Sequence, residues 1–194
     1  MYLRIRSAGL WRDPHAWSRA LLVLLVLGAG WTWASRVPGS LASLGQIPSP
    51  REGFPAPDFT LDSLSGQPTS LASLRGQVVI LNLWASWCGP CQAEMPTIER
   101  VYLSERSRGL AVLAVNSTFQ DSEPSARAFA RRFGLTYPIL LDRDGSVSRT
   151  YLLHALPTTY IVDRHGIIRA VVLGGPMAEG FLRSTVEPLL LEAP

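Results

Sequence analysis

The chain has 194 residues, 47% hydrophobic and 17% charged, a length that suits one ordinary domain with a short attachment and a composition that excludes a disordered chain. The formal net charge is +3, yet five arginines and one aspartate fall within the first 36 residues, so the basicity belongs to the N-terminus. Without lysine and without a basic stripe in the body, nucleic acid is not an expected partner; the two cysteines, Cys88 and Cys91, are too few for a disulfide framework or a four-cysteine zinc site.

Arg4, Arg6, Arg12 and Arg19 precede an uncharged run over residues 20–35, all Leu and Val from Leu21 to Leu27, and Arg36 closes it. This is the pattern of an export signal, with residues 1–19 left in the cytoplasm. As a helix the run reaches roughly 24 Å against a hydrocarbon core of roughly 30 Å. Trp17, Trp31 and Trp33 suit a membrane interface and Arg19 can snorkel, which favours a retained transmembrane anchor. The alternative is cleavage, with small residues available at Thr32 and Ala34 or at Ser40 and Ala42, and a secreted product. No cysteine follows the run to carry a lipid. In either case the body is expected outside the cytoplasm. Residues 36–55, rich in Pro and Gly, read as a tether, and 56–194 as the domain.

Within the domain, 59–61 and 69–71 form a candidate hairpin. The apolar run 78–83 (VVILNL) reads as a strand covered on both faces, and Cys91, Met95, Ile98 and Tyr102 follow at helical spacing. A second buried strand, 110–115, precedes a helix marked by Ala126, Phe129, Ala130 and Phe133, with Asp121 or Ser122 as cap and Pro124 in its first turn. A short strand at 138–141 ends in the turn 142–145; 158–162 and 167–173 flank the turn 163–166 as an antiparallel hairpin. Phe181, Leu182, Thr185, Val186 and Leu189 give a last helix, distorted at Pro188. The sum is an α/β domain with a mixed sheet and helices on both faces.

Chemistry concentrates at residues 84–91 (WASWCGPC), where the strand passes into the helix. Backbone N–H groups at a helix start stabilise a thiolate, so Cys88 is expected to be the more exposed sulfur that attacks a substrate disulfide. Cys91, one turn further in and buried, resolves the mixed disulfide, while Gly89 and Pro90 close the turn. A structural disulfide enclosing two residues contributes little. As a metal half-site the pair lacks ligands, and copper(I), with His154 as a further donor, is the metal that would accept so few.

The sequence Trp-Cys-Gly-Pro-Cys after an apolar strand, with Pro96 five residues beyond the second cysteine and Leu156-Pro157-Thr158-Thr159 before a later strand, resembles thioredoxin, specifically the membrane-tethered extracytoplasmic TlpA/ResA-like thiol-disulfide oxidoreductases. The resemblance covers residues 56–190. It implies a thioredoxin fold with Pro157 in cis facing the cysteines, and a client segment held by the backbone of Leu156 beside Trp87, Gly89 and Pro90. Asn82 stands where cytoplasmic thioredoxin has a buried aspartate. Glu94, three residues after Cys91, resembles the acid that accepts or relays the Cys91 proton in this branch; its plainer reading is an acid favoured by the helix N-terminus. Asn82, Trp84 and Pro96 are support residues, Trp84 being a candidate for either core or client surface and His154 for a solvated loop.

The resemblance further implies a reductive role toward apocytochrome c or an oxidase copper site. A transmembrane thiol carrier is the implied electron donor, with the Cys88–Cys91 pair in place of any dissociable cofactor or metal. Thr158 stands where cytochrome-maturation reductases of Gram-negative type commonly have Glu, which leaves the client open. A copper(I) metallochaperone using the same cysteines is the alternative. A peroxiredoxin is set aside, because Ala85 and Leu81 occupy the places of its Thr or Ser and its Pro.

Overall fold

The computed structural model describes residues 14–34 and 47–192, in two units that divide between Gly45 and Gln46. In the first, helix α1 runs Pro14–Ala34, 21 residues, starting earlier than the apolar run and taking in Arg19. Leu21 to Leu27 are all exposed. No helix among the described residues is both long and apolar enough to cross a membrane. Arg4, Arg6, Arg12, Arg36 and the second cleavage position at Ser40 and Ala42 lie outside the described residues, as do 36–46 of the expected tether.

The second unit is built on β3 (Val78–Trp84), every residue of which is buried. A strand covered on both faces belongs at the centre of a sheet. β3 pairs in parallel with β4 (Leu110–Asn116) on one side and antiparallel with β6 (Thr158–Val162) on the other. With β5 (Ile139–Leu141) and β7 (Ile168–Leu173) at the edges, the order is β5-β4-β3-β6-β7. The parallel β3–β4 step is bridged by α2 (Gly89–Glu105) and the β4–β5 step by α3 (Glu123–Phe133). The hairpin β6–β7 needs no crossover. Ser122 accepts from the Ser125 N–H as the α3 cap, the second of the two candidates.

Alternation along β3 divides the core. Val78, Ile80 and Trp84 pack with Cys91, Met95 and Ile98 of α2, Phe129 of α3 and Leu182 and Val186 of α5 (Glu179–Leu191). Val79, Leu81 and Leu83 face the opposite way, against Leu113, Leu140, Tyr160 and Tyr151, which follows the short α4 (Ser146–Thr150). Both faces are covered, three helices lying on one and the smaller α4 on the other. Pro188 lies inside α5, which stays continuous to Leu191.

Both sheet edges are covered. Strands β1 (Thr60–Asp62) and β2 (Pro68–Ser70) form the expected hairpin, and Leu64 beyond β1 donates its N–H to Ile139 O at 2.9 Å. At the other edge the structure corrects the tether reading of 36–55. Gly53 N–H donates to Ile168 O at 2.8 Å, Ile168 N–H to Phe54 O at 3.0 Å and Ala56 N–H to Gly166 O at 2.9 Å, so the chain is docked before residue 56. The outer row of β7 donors and acceptors needs partners, and the non-proline residues between the prolines supply them.

Candidate functional site

Cys88 is the N-cap of α2, with extended backbone and its sulfur accepting the Cys91 N–H at 3.2 Å. Pro90 falls in the first turn, where a missing N–H costs no helical bond. The two cysteines form a disulfide with their Cα atoms 5.3 Å apart. Cys91 is fully buried and Cys88 is 4% exposed: the order of exposure is as expected, but the first sulfur is reached through a groove rather than lying on open surface. That groove, about 780 Å³, has Cys88 in its lining together with Trp87, Phe119, Leu152, His154 and Leu156.

The preceding loop is fastened from β4. Asp121 accepts from Ser86 N–H at 2.6 Å, Ser86 Oγ at 2.7 Å, Asn116 Nδ2 at 2.8 Å and Ser122 N–H at 2.8 Å. Partial burial pushes its carboxyl up, and these hydrogen bonds outweigh that and hold it below the usual carboxylate range. Trp87, 58% exposed, donates its indole N–H to Gln120 O at 3.1 Å, which fixes the ring on the groove rim. Trp84, by contrast, is fully buried against Phe129, ring centroids 4.5 Å apart; it is core and not client surface.

The Leu156–Pro157 peptide is cis, as the resemblance implied. Leu156 lines the groove; Pro157 is buried behind it, outside the lining, with its carbonyl accepting from Gly174 N–H at 2.8 Å. Of the residues expected to hold a client, Trp87, Gly89, Pro90 and Leu156 therefore line the same groove as Cys88, whereas Pro157 is buried outside the lining. Pro96 lies within α2.

Glu94, three residues after Cys91 on α2, is 1% exposed. Its Oε1 accepts from Asn82 Nδ2 at 2.9 Å and Thr159 Oγ1 at 3.1 Å, and its Oε2 from Met177 N–H at 3.0 Å. Burial raises the carboxyl above its ordinary range, the three donors opposing. None of these three donors is an amide of the first turn of α2, so burial and these partners hold Glu94 in addition to anything the helix N-terminus supplies. Asn82 also donates to Thr159 Oγ1 at 2.8 Å, while its Oδ1 has no partner among the described residues. Sequence reasoning missed Thr159, Met177 and Gly175. A Cβ on Gly175 would stand 2.8 Å from Glu94 Oε2 and 2.9 Å from Pro157 Cγ, so only glycine lets that backbone pass between them. Among the described residues no group of three or more His, Cys, Asp or Glu is placed to hold a metal.

A disulfide at a helix start, a buried acid about one turn further along that helix and a cis-proline close to the acid make a thiol-exchange site in their geometry. A profile of the AhpC/TSA family matches residues 53–171. The chain belongs to that family, in its ResA-like branch. It is 39% identical over 164 residues to the thioredoxin-like protein YneN of Bacillus subtilis, covering 81% of this chain and 89% of that one. To the thiol-disulfide oxidoreductase ResA of Geobacillus kaustophilus it is 40% identical over 122 residues, 63% of this chain and 69% of the relative. Among solved structures, a thiol:disulfide interchange protein of the thioredoxin family from Chlorobium tepidum superposes with a TM-score of 0.64 at 26% identity, over 75% of this chain and 99% of that one. StoA of Bacillus subtilis does so with 0.58 at 28% identity, over 66% and 95%. The ResA-like protein is thus a thiol-disulfide oxidoreductase of thioredoxin-like fold.

Proposed function

We propose that the protein is an extracytoplasmic protein-disulfide reductase, tethered to the cell membrane by α1 and recharged by a transmembrane thiol donor. The observation that carries this reading is the asymmetry of the pair: Cys88 lines the groove and caps α2, while Cys91 is fully buried, as is Glu94 three residues further along the helix. In the reduced protein the Cys88 thiolate attacks one client sulfur, forming a mixed disulfide and expelling the other client sulfur as a thiolate. Cys91, giving its proton to Glu94, then attacks the Cys88 sulfur and expels the second client thiolate. Two electrons pass to the client, the pair ends oxidised, and no dissociable cofactor takes part. Outside the cytoplasm the surroundings are oxidising, so the dithiol must be restored by electrons carried through the membrane. The proposed clients are apocytochrome c before haem attachment or the cysteines of a copper site.

Trapping on a Cys91→Ala variant tests the reading. It should accumulate client adducts on Cys88, which name the client, and Cys88→Ala should accumulate none; the reverse pattern would invert the assignment. For the tether, a membrane fraction resistant to carbonate washing, with the domain open to protease added outside intact cells, supports α1 as anchor. Recovery of a soluble product lacking α1 would favour signal cleavage.

A further inference from the structure

The groove above Cys88 has a chemical character that goes beyond exchange itself. Three large apolar side chains stand on its rim substantially uncovered: Trp87 at 58%, Leu152 at 52% and Phe119 at 48% exposure. Leu152 holds φ at +51°, a backbone region that a leucine rarely adopts. Hydrogen bonds around it, from Leu152 N–H to Arg149 O at 3.1 Å and from Leu153 N–H to Ser148 O at 2.9 Å, keep it there, on the rim rather than in the core.

Arg149 is the charged side chain in the lining, and no carboxylate joins it there. The acids around it are engaged otherwise. Asp144 accepts from Ser146 N–H at 3.0 Å, Asp142 from Val147 and Ser148 N–H at 3.2 and 2.8 Å, and Asp121 holds the Ser86 loop. Arg149 itself donates to the Asp144 carbonyl at 2.9 Å and forms no ion pair within 4.0 Å among the described residues. Its charge also lowers the exposed Asp144 carboxyl, after the Ser146 hydrogen bonds; Asp144 is not among the lining residues, so the groove holds this arginine without a carboxylate in its own wall.

We propose that this groove selects client segments in which the disulfide cysteine is flanked by an apolar, preferably aromatic, side chain and by a carboxylate. This selectivity rests on the exchange reading above. The apolar side chain covers Trp87, Phe119 and Leu152 as it leaves water, and the carboxylate meets Arg149 at the rim, where such a pair contributes mainly to rate and choice of partner.

The experiment uses the full chain, reduced, and short peptides each bearing one cysteine as its mixed disulfide with 2-mercaptoethanol. The flanking pairs are Phe with Asp, Phe with Lys, and Ser with Asp; hydroxyethyl disulfide is the small neutral reference. The Phe/Asp peptide should react fastest, ahead of Phe/Lys by roughly two- to fivefold, as one exposed ion pair allows, and high salt should narrow that margin. Arg149→Glu should reverse the order of the Asp and Lys peptides. Equal rates for those two at low salt, or a Ser/Asp peptide as fast as Phe/Asp, would overturn the selectivity while normal turnover of hydroxyethyl disulfide leaves the exchange reading standing. A reduced protein inert toward hydroxyethyl disulfide as well would bring down both.

Discussion

Asn82, at the middle of the central strand, donates its amide to the Glu94 carboxylate across 2.9 Å, so the strand that leads into the cysteine loop also holds the acid of the helix that follows it. An amide cannot titrate, which leaves Glu94 as the carboxyl of this pair. Burial raises its folded value, and the sign of the linkage follows. Stability from a raised carboxyl is fully present below its unfolded value near 4.5 and is lost as pH rises through the folded value. The oxidised protein should therefore lose stability across that window, and Glu94→Gln should remove the slope. Denaturant midpoints measured from roughly pH 4 to pH 8 check this. In the reduced protein the same substitution should shift the Cys91 titration and slow client reduction; unchanged thiol titrations and rate would end the proton role.

Asp121 has the opposite sign. Its folded carboxyl is lowered, so its contribution is present above the unfolded value near 3.8 and fades as pH falls through the folded one. Four donors point at its two oxygens. In Asp121→Asn the new NH₂ group faces donors whichever way it turns, which should cost about 1 to 3 kcal/mol. Because Trp87 rides on the same loop, urea titrations followed by tryptophan emission should show a lower midpoint and altered native emission. A variant as stable as the parent would show that the loop is held elsewhere.

The individual strands and helices and the cysteine pair were legible because they rest on local signals: the unbroken run of β3, the helical spacing from Cys91 onward, the turns at Gly145 and Gly166. Asn82 and Glu94 were legible individually, but not their meeting with Thr159 and Met177, which are 77 and 83 residues away along the chain from Asn82 and Glu94 respectively. Hydrogen bonds of that kind leave no periodicity in sequence. The strand-like docking of residues 49–56 was hidden by their prolines, since composition reports what a segment resists and not which edge it covers. The Gly175 backbone, tight between Glu94 and Pro157, had no signal beyond being a glycine near a proline.

That docked segment makes its own prediction. A chain beginning at Ala56 loses the Gly53 and Phe54 bonds to Ile168 and the Glu52 carboxylate that accepts from Val171 N–H at 2.9 Å. At roughly 1 kcal/mol per bond, the domain should lose about 2 to 4 kcal/mol against one beginning at Ile47. It should also self-associate through the bared β7 edge, which sedimentation would detect.

Gly175 and Gly180 offer the same substitution with opposite expected signs. At Gly175 an added methyl meets the Glu94 carboxylate and the Pro157 ring within 3 Å, atoms held by buried hydrogen bonds and by a ring, so something in the site must move. Gly175→Ala should cost about 1 to 3 kcal/mol and slow exchange, because the displaced neighbours are Glu94 and the cis-proline that follows Leu156. At Gly180, in the first turn of α5, nothing lies within 4 Å of the new methyl. There alanine should be neutral or stabilise by up to about 1 kcal/mol through its helix preference. Thermal melts of the two variants beside the parent, with client reduction measured on each, separate a packing requirement at the site from a general intolerance of alanine. Equal melts for both would mean that the approach of Gly175 to Glu94 constrains nothing.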